Sequence, residues 1–156
     1  MIGIDIPGFG MVELEHLVSD FTGTLSEDGK LCEGAAERLN RLSESIRIHV
    51  LTADTFGKAR EELEGINCSI HILKGEDHNL QKEKYVELLG WIKVVTLGNG
   101  NNDRRMLKAA RVGIAVCLRE GCATKAIRKA DIIVNSTVDA LDLLLHPKRM
   151  KATLRF

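Results

Sequence analysis

Apolar residues in this chain fall into two recurring patterns, short near-continuous runs and three-and-four spacings, and the two alternate almost to its end. Val12-Glu13-Leu14-Glu15-His16-Leu17-Val18 alternates and then runs apolar, which predicts a strand entering a buried sheet and ending at Asp20. Glu27-Asp28-Gly29-Lys30-Leu31 predicts a hairpin turn on its Asp-Gly pair, a small flap beside that strand end. Ala35, Leu39 and Leu42 mark one face of a helix, and residues 46–51 read as the next strand. Asp54 or Thr55 can cap a helix whose apolar face is Phe56, Ala59 and Leu63. Residues 70–73 predict a strand, and Tyr85, Val86 and Leu89 a helix that Gly90 stops. Residues 92–97 form an apolar strand, followed by a helix with Met106, Leu107 and Ala110. A strand at 112–116, a helix around 123–130, a short strand at 131–134 and a helix with Val138, Leu141 and Leu145 inward complete the series. Residues 2–10 are expected to add an antiparallel hairpin strand at the sheet edge, and residues 148–156 form a tail.

Strands alternating with helices of about ten residues imply βαβ crossovers with helices on both faces of a mostly parallel sheet. The expectation is a single three-layer α/β domain of Rossmann-like type over residues 1–156, without internal repeats or linkers. Composition narrows the function classes. With 22 basic and 22 acidic residues the chain has no electrostatic footprint for nucleic acid or an anionic membrane. No apolar run approaches the roughly 20 residues of a membrane span, and a cytoplasmic location is expected. Cys32, Cys68, Cys117 and Cys122 form no CxxC pair and read as reduced structural thiols.

Three of the predicted strands end in turns of small polar residues. They are Asp20-Phe21-Thr22-Gly23-Thr24, Thr52-Ala53-Asp54 and Gly98-Asn99-Gly100-Asn101-Asn102-Asp103. Carboxylates at strand ends of an open α/β sheet lie where such sheets bind ligands. With a lysine between the second turn and the third, this order resembles the four motifs of the haloacid dehalogenase superfamily, most of whose members are phosphohydrolases. The Asp-x-Thr-Gly-Thr form of the first motif is especially similar to P-type ATPases. Thr-Ala-Asp-Thr-Phe-Gly at 52–57 and Ala-Thr-Leu-Arg at 152–155 resemble the small soluble P-type ATPase-like proteins, which have this domain alone.

The resemblance implies a capless domain with only a small flap, and a Mg²⁺-dependent phosphohydrolase or phosphoryl-transfer protein acting on a small phosphorylated molecule. Asp20 would be the nucleophile, forming an aspartyl phosphate that divides one difficult displacement into two. Thr52 and the Ala53 amide would hydrogen-bond phosphoryl oxygens, with Thr22, Gly23 and Asn102 as further substrate contacts and a lysine neutralising charge. Lys82 fits that lysine better than Lys84, because apolar residues follow it at three, four and seven positions: Tyr85, Val86 and Leu89. Mg²⁺ would be held by Asp20, the Thr22 carbonyl, Asn99 and Asp103, a hard-oxygen set. A neighbouring copy is expected to serve as the lid in a homo-oligomer.

Two departures from the family pattern bear on activity. Thr22 stands where the phosphatases have a second aspartate as acid and base, and general acid-base assistance is worth on the order of 10²–10⁴ in rate. Good leaving groups, as in acyl and aryl phosphates, are therefore expected to react, and alkyl phosphates little. Asn99 stands where the GDGxND motif has its first aspartate, so it brings no charge to the metal. The rival reading is a weakly active or inactive descendant that binds a phosphorylated ligand or a protein. Asp54 reads as a cap, and Arg104, Arg105 and Lys108 as a solvated helix face, with a substrate phosphate or carboxylate contact as the alternative. His16, His49, His71, His78 and His146 have no paired spacing and read as packing or surface residues.

Overall fold

A strand buried at every residue has to lie between two covering layers, and His16–Ser19, Val94–Gly98 and Val112–Val116 are of this kind. The computed structural model describes residues 1–54 and 56–156. The chain opens with an antiparallel hairpin of β1 (Ile2–Ile6) and β2 (Gly10–Leu14), then enters the central sheet through β3 (His16–Ser19). A small hairpin of β4 (Ser26–Glu27) and β5 (Lys30–Leu31) precedes α1 (Ala35–Ser43) and β6 (Arg47–Thr52). Next come α2 (Ala59–Glu62), β7 (Ser69–Ile72), α3 (His78–Leu88), β8 (Val94–Gly98), α4 (Arg104–Ala109) and β9 (Val112–Val116). The order ends with α5 (Thr124–Ile127), β10 (Ile132–Val134), α6 (Thr137–Leu145) and α7 (Pro147–Leu154). Six strands form one parallel sheet in the order β10-β9-β8-β3-β6-β7, flanked by helices. Among the described residues no helix is long and apolar enough to cross a membrane.

The period-two alternation of each strand divides the core. Leu17, Ile48, Val50, Val95 and Leu97 join the larger cluster with Leu39 and Leu42 of α1 and Leu141 and Leu144 of α6. Val18, Leu51 and Val94 face the other way, onto Val86 of α3 and Met106 of α4. The expected three-layer α/β architecture is therefore present, with the predicted flap as the β4–β5 hairpin. Four local expectations need correction. The strand expected across residues 12–18 is two strands that part at Glu15. Its alternating half, with Val12 and Leu14 buried, belongs to the hairpin, and its continuous half to the sheet. The β1–β2 hairpin is a separate two-stranded sheet packed on α7, not an edge of the central one. Trp91–Lys93 is a 3-10 turn, and the strand begins only at Val94. Phe56 is exposed and precedes α2, while Thr55 lies outside the described residues and Asp54 provides the cap, accepting from Lys58 N and Ala59 N at 2.9 Å each.

Register creates one feature that no spacing announced. His16 Nδ1 lies 3.1 Å from His49 Nε2, His49 Nδ1 lies 2.9 Å from the Tyr85 hydroxyl, and that hydroxyl lies 2.8 Å from His71 Nε2. The chain of polar groups crosses from β3 through β6 to β7 and fastens α3 to the sheet. Burial, then the neighbouring His16 and His71, push the His49 imidazole down to about 4, and burial also lowers His16. Neutral rings offer one donor and one acceptor each, as such a chain requires. Tyr85→Phe is expected to cost about 1–3 kcal/mol, because the nitrogen of buried His49 loses its partner. Urea unfolding of the two proteins measures this, and an unchanged midpoint would show that the hydroxyl does not hold the helix.

Candidate active site

The chain leaves β3 for β6 on one side and later returns to β8 on the other, so a crevice opens at the carboxyl ends of these strands. Ser19 stands opposite Val50 and Leu97, and Asp20 emerges between the two neighbouring strand ends, its amide donating to Leu97 O at 3.0 Å. The following turn is tied to one acceptor. The Phe21 carbonyl takes Leu25 N and Ser26 N, both at 3.0 Å, and the Ser26 hydroxyl at 3.0 Å. Gly23 has φ +76°, and a Cβ there would stand 2.4 Å from Asn99 Nδ2, so both backbone conformation and space demand glycine.

Lys82 reaches this point from the middle of α3. Its fully buried ammonium lies 2.8 Å from Asp20 Oδ1 and 2.7 Å from Asp103 Oδ1, whereas Lys84 is exposed. Asp103 is equally buried, and its other oxygen accepts Asn99 N at 3.0 Å and Gly100 N at 2.9 Å. Gly98 makes this approach feasible, since a Cβ on it would stand 2.6 Å from Asp103 Cβ. Burial first, then the Asp103 charge, push Asp20 up to about 7 against the pull of Lys82. Burial opposes the charge on Lys82, but Asp20 and then Asp103 outweigh it and hold the ammonium above its ordinary range. One cation between two carboxylates leaves a buried charge of about −1 when all three are ionised.

The other expected site residues are distributed around this cluster. Thr52 is buried at the end of β6, where its hydroxyl accepts Asp54 N at 2.9 Å, and Ala53 beside it is exposed. Thr22 Oγ1 is buried with no hydrogen-bond partner among the described residues. Asn102 is exposed, its side chain folded over Gly100. Asn99 ties three segments together. Its Oδ1 accepts the Thr24 hydroxyl at 3.2 Å, and its Nδ2 donates to the Gly121 carbonyl at 3.1 Å.

The donor set bears on the expected Mg²⁺. Among the described residues no three His, Cys, Asp or Glu side chains are placed to hold a metal ion. Asp103, expected as a ligand, pairs with Lys82 through one oxygen and accepts Asn99 N and Gly100 N with the other. The second Asp20 oxygen, the Thr22 carbonyl and the remaining lone pair of Asn99 Oδ1 would together supply a hard-oxygen donor set. It fits Mg²⁺, which takes one or two carboxylates and fills its shell with water and phosphate. One residue escaped the sequence reading. Glu120 Oε1 accepts the Asp28 amide at 3.3 Å and Oε2 approaches Gly23, linking the flap to the turn after Asp20.

This sheet order matches a haloacid dehalogenase-like Rossmannoid fold. Over 91% of this chain it superposes with a TM-score of 0.69, at 16% identity, on 94% of the 3-deoxy-D-manno-octulosonate 8-phosphate phosphatase of Moraxella catarrhalis, solved with magnesium, phosphate and KDO. The cobalt-bound deoxy-D-mannose-octulosonate 8-phosphate phosphatase of Haemophilus influenzae gives 0.71 at 11% identity, over 92% of this chain and 94% of that one. No protein-family model matches. The chain belongs to the same family as two uncharacterised proteins of Methanocaldococcus jannaschii. It is 51% identical to MJ0073 over 63 residues, 40% of this chain and 68% of that protein, and 46% identical to MJ0072 over 39 residues, 25% of this chain and 89% of that one.

The buried charge has a measurable consequence. Because folding raises Asp20 from 3.8 to about 7, its contribution to stability is full below about pH 4 and is lost as pH rises through 7. Asp20→Asn carries no such charge. In metal-free buffer its melting temperature is expected to exceed the native value by a few degrees at pH 8, and the gap to close toward pH 4. A gap that does not vary with pH would contradict a buried, titrating Asp20.

Proposed function

We propose that the protein is a Mg²⁺-dependent phosphohydrolase or phosphoryl-transfer protein acting through Asp20 on a small phosphorylated molecule. The observation that carries this reading is the buried Lys82 ammonium, held 2.8 Å from the Asp20 carboxylate and braced by Asp103 at the switch point of a parallel sheet. Asp20 oxygen attacks phosphorus, the bond from phosphorus to the leaving oxygen breaks, and water then cleaves the resulting acyl phosphate to return Asp20 and inorganic phosphate. Lys82 lies where it can neutralise charge on the phosphoryl oxygens, and the unpartnered Thr22 hydroxyl is a donor for one of them. Thr52 and the Ala53 amide close the other side. Asp20, the Thr22 carbonyl and Asn99 would hold Mg²⁺, which when bound screens the repulsion between carboxylate and phosphate. The phosphatase names of the structural neighbours and the metals bound in them support the same class. Exposed Phe56, packed beside Gly29 at the flap tip, offers an apolar contact for a second copy as lid.

Thr22 has no acidic proton near neutral pH, so the leaving group must depart largely unaided. Acetyl phosphate and 4-nitrophenyl phosphate are expected to be hydrolysed with Mg²⁺ on the order of 10² times faster than glycerol 3-phosphate. Asp20→Asn should abolish all turnover. Equal rates on the three substrates would refute the role given to Thr22, and no Asp20-dependent hydrolysis of any would favour a phospho-ligand or protein-binding module.

A further inference from the structure

The two elements that supply Lys82 and Asp103 also flank a shallow, open cleft of about 580 Å³ lined by polar residues. One wall is the loop and first turn of α3, with Glu76, Asp77, His78 and Asn79; the other is the turn before α4, with Asn102 and Arg104. His78 precedes Lys82 by four residues, hence lies on the same helix face one turn away, and Asn102 immediately precedes Asp103. The cleft therefore adjoins the proposed phosphoryl site.

Two of its groups stand without partners. His78 Nε2 is buried and has no hydrogen bond among the described residues. Arg104 makes no ion pair among the described residues, although two carboxylates line the same cleft. Asp77 is committed to capping α3, accepting Leu80 N at 3.2 Å, and Glu76 is exposed. Arg105, next along the chain, is paired with Glu83. Asn79 Oδ1 accepts Arg105 N at 3.3 Å, which leaves the Asn79 amide NH₂ free to donate. A guanidinium fork matches a carboxylate in its own plane, and a buried ring nitrogen is costly until something bonds to it.

We infer that this cleft recognises a carboxylate on the leaving group of the substrate, with Arg104 as counter-ion and His78 and Asn79 as hydrogen-bonding partners. Resting on the phosphohydrolase reading, this makes the substrate a phosphorylated carboxylic acid. The sequence left Arg104 open between a solvated helix face and a substrate phosphate or carboxylate contact; its lack of an ion-pair partner among the described residues becomes visible only in three dimensions.

The test compares 3-carboxyphenyl phosphate with its neutral near-isostere, 3-carbamoylphenyl phosphate, under Mg²⁺. The native protein should prefer the carboxylate by about tenfold in kcat/KM, chiefly through KM, and Arg104→Gln should erase the preference while Arg105→Gln retains it. A native ratio near one, or a ratio that Arg104→Gln leaves intact, overturns the inference while hydrolysis itself upholds the phosphohydrolase reading. Should neither ester be hydrolysed, that reading fails and the cleft is judged by NMR of the His78 ring. Shifts with 3-hydroxybenzoate, absent with 3-hydroxybenzamide and absent in Arg104→Gln, support the subsite; a ring unmoved by either compound overturns it.

Discussion

A lysine ammonium sealed between two carboxylates is the interaction on which the rest of this structure turns. Its desolvation is tolerable only because Asp20 and Asp103 both lie within 2.8 Å, and removing the lysine would leave two buried carboxylates facing each other without a cation. Each partner arrives from a different element: Asp20 from the end of β3, Lys82 from α3, Asp103 from the turn after β8. The triad thus demands a particular placement of helix against sheet. Chain features that otherwise look incidental serve that placement, among them Gly98 beneath Asp103 and the His49–Tyr85 contact one turn beyond Lys82.

Local patterns made much of this legible. The nucleophile turn could be read because its determinants lie within a few residues: apolar strand, aspartate, glycine at positive φ, and a carbonyl at Phe21 that collects the amides after it. Lys82 could be preferred to Lys84 because the apolar spacing after it fixes which helix face turns inward, and the structure buries the one and exposes the other. The alternating α/β order likewise follows from the change in period along the chain.

What escaped the sequence depends on register and on individual atoms. His16, His49 and His71 have no meaningful spacing along the chain. They meet because β3, β6 and β7 pair in parallel with a stagger that only the assembled sheet defines. The way the Asp103 oxygens point, one to Lys82 and the other to two backbone amides, is likewise a matter of single atoms that no spacing along the chain sets. The split at Glu15 was concealed because an alternating hairpin strand runs directly into a continuous buried one. The two departures in the motifs converge physically: Thr22 removes a proton carrier, and Asn99 exchanges a charge for an amide that holds Thr24 and Gly121 together. Under the proposed function, a site so altered would hold a captured phosphoryl group rather than release it quickly.

The most direct measurement is therefore of the captured group. After brief incubation with acetyl phosphate and Mg²⁺ and an acid quench, intact-mass and peptide analysis should find a phosphoryl adduct on Asp20, lost in Asp20→Asn and strongly reduced in Lys82→Met. Absence of the adduct in the native protein together with absence of turnover, or an adduct that persists in Asp20→Asn, would contradict the central role of this carboxylate.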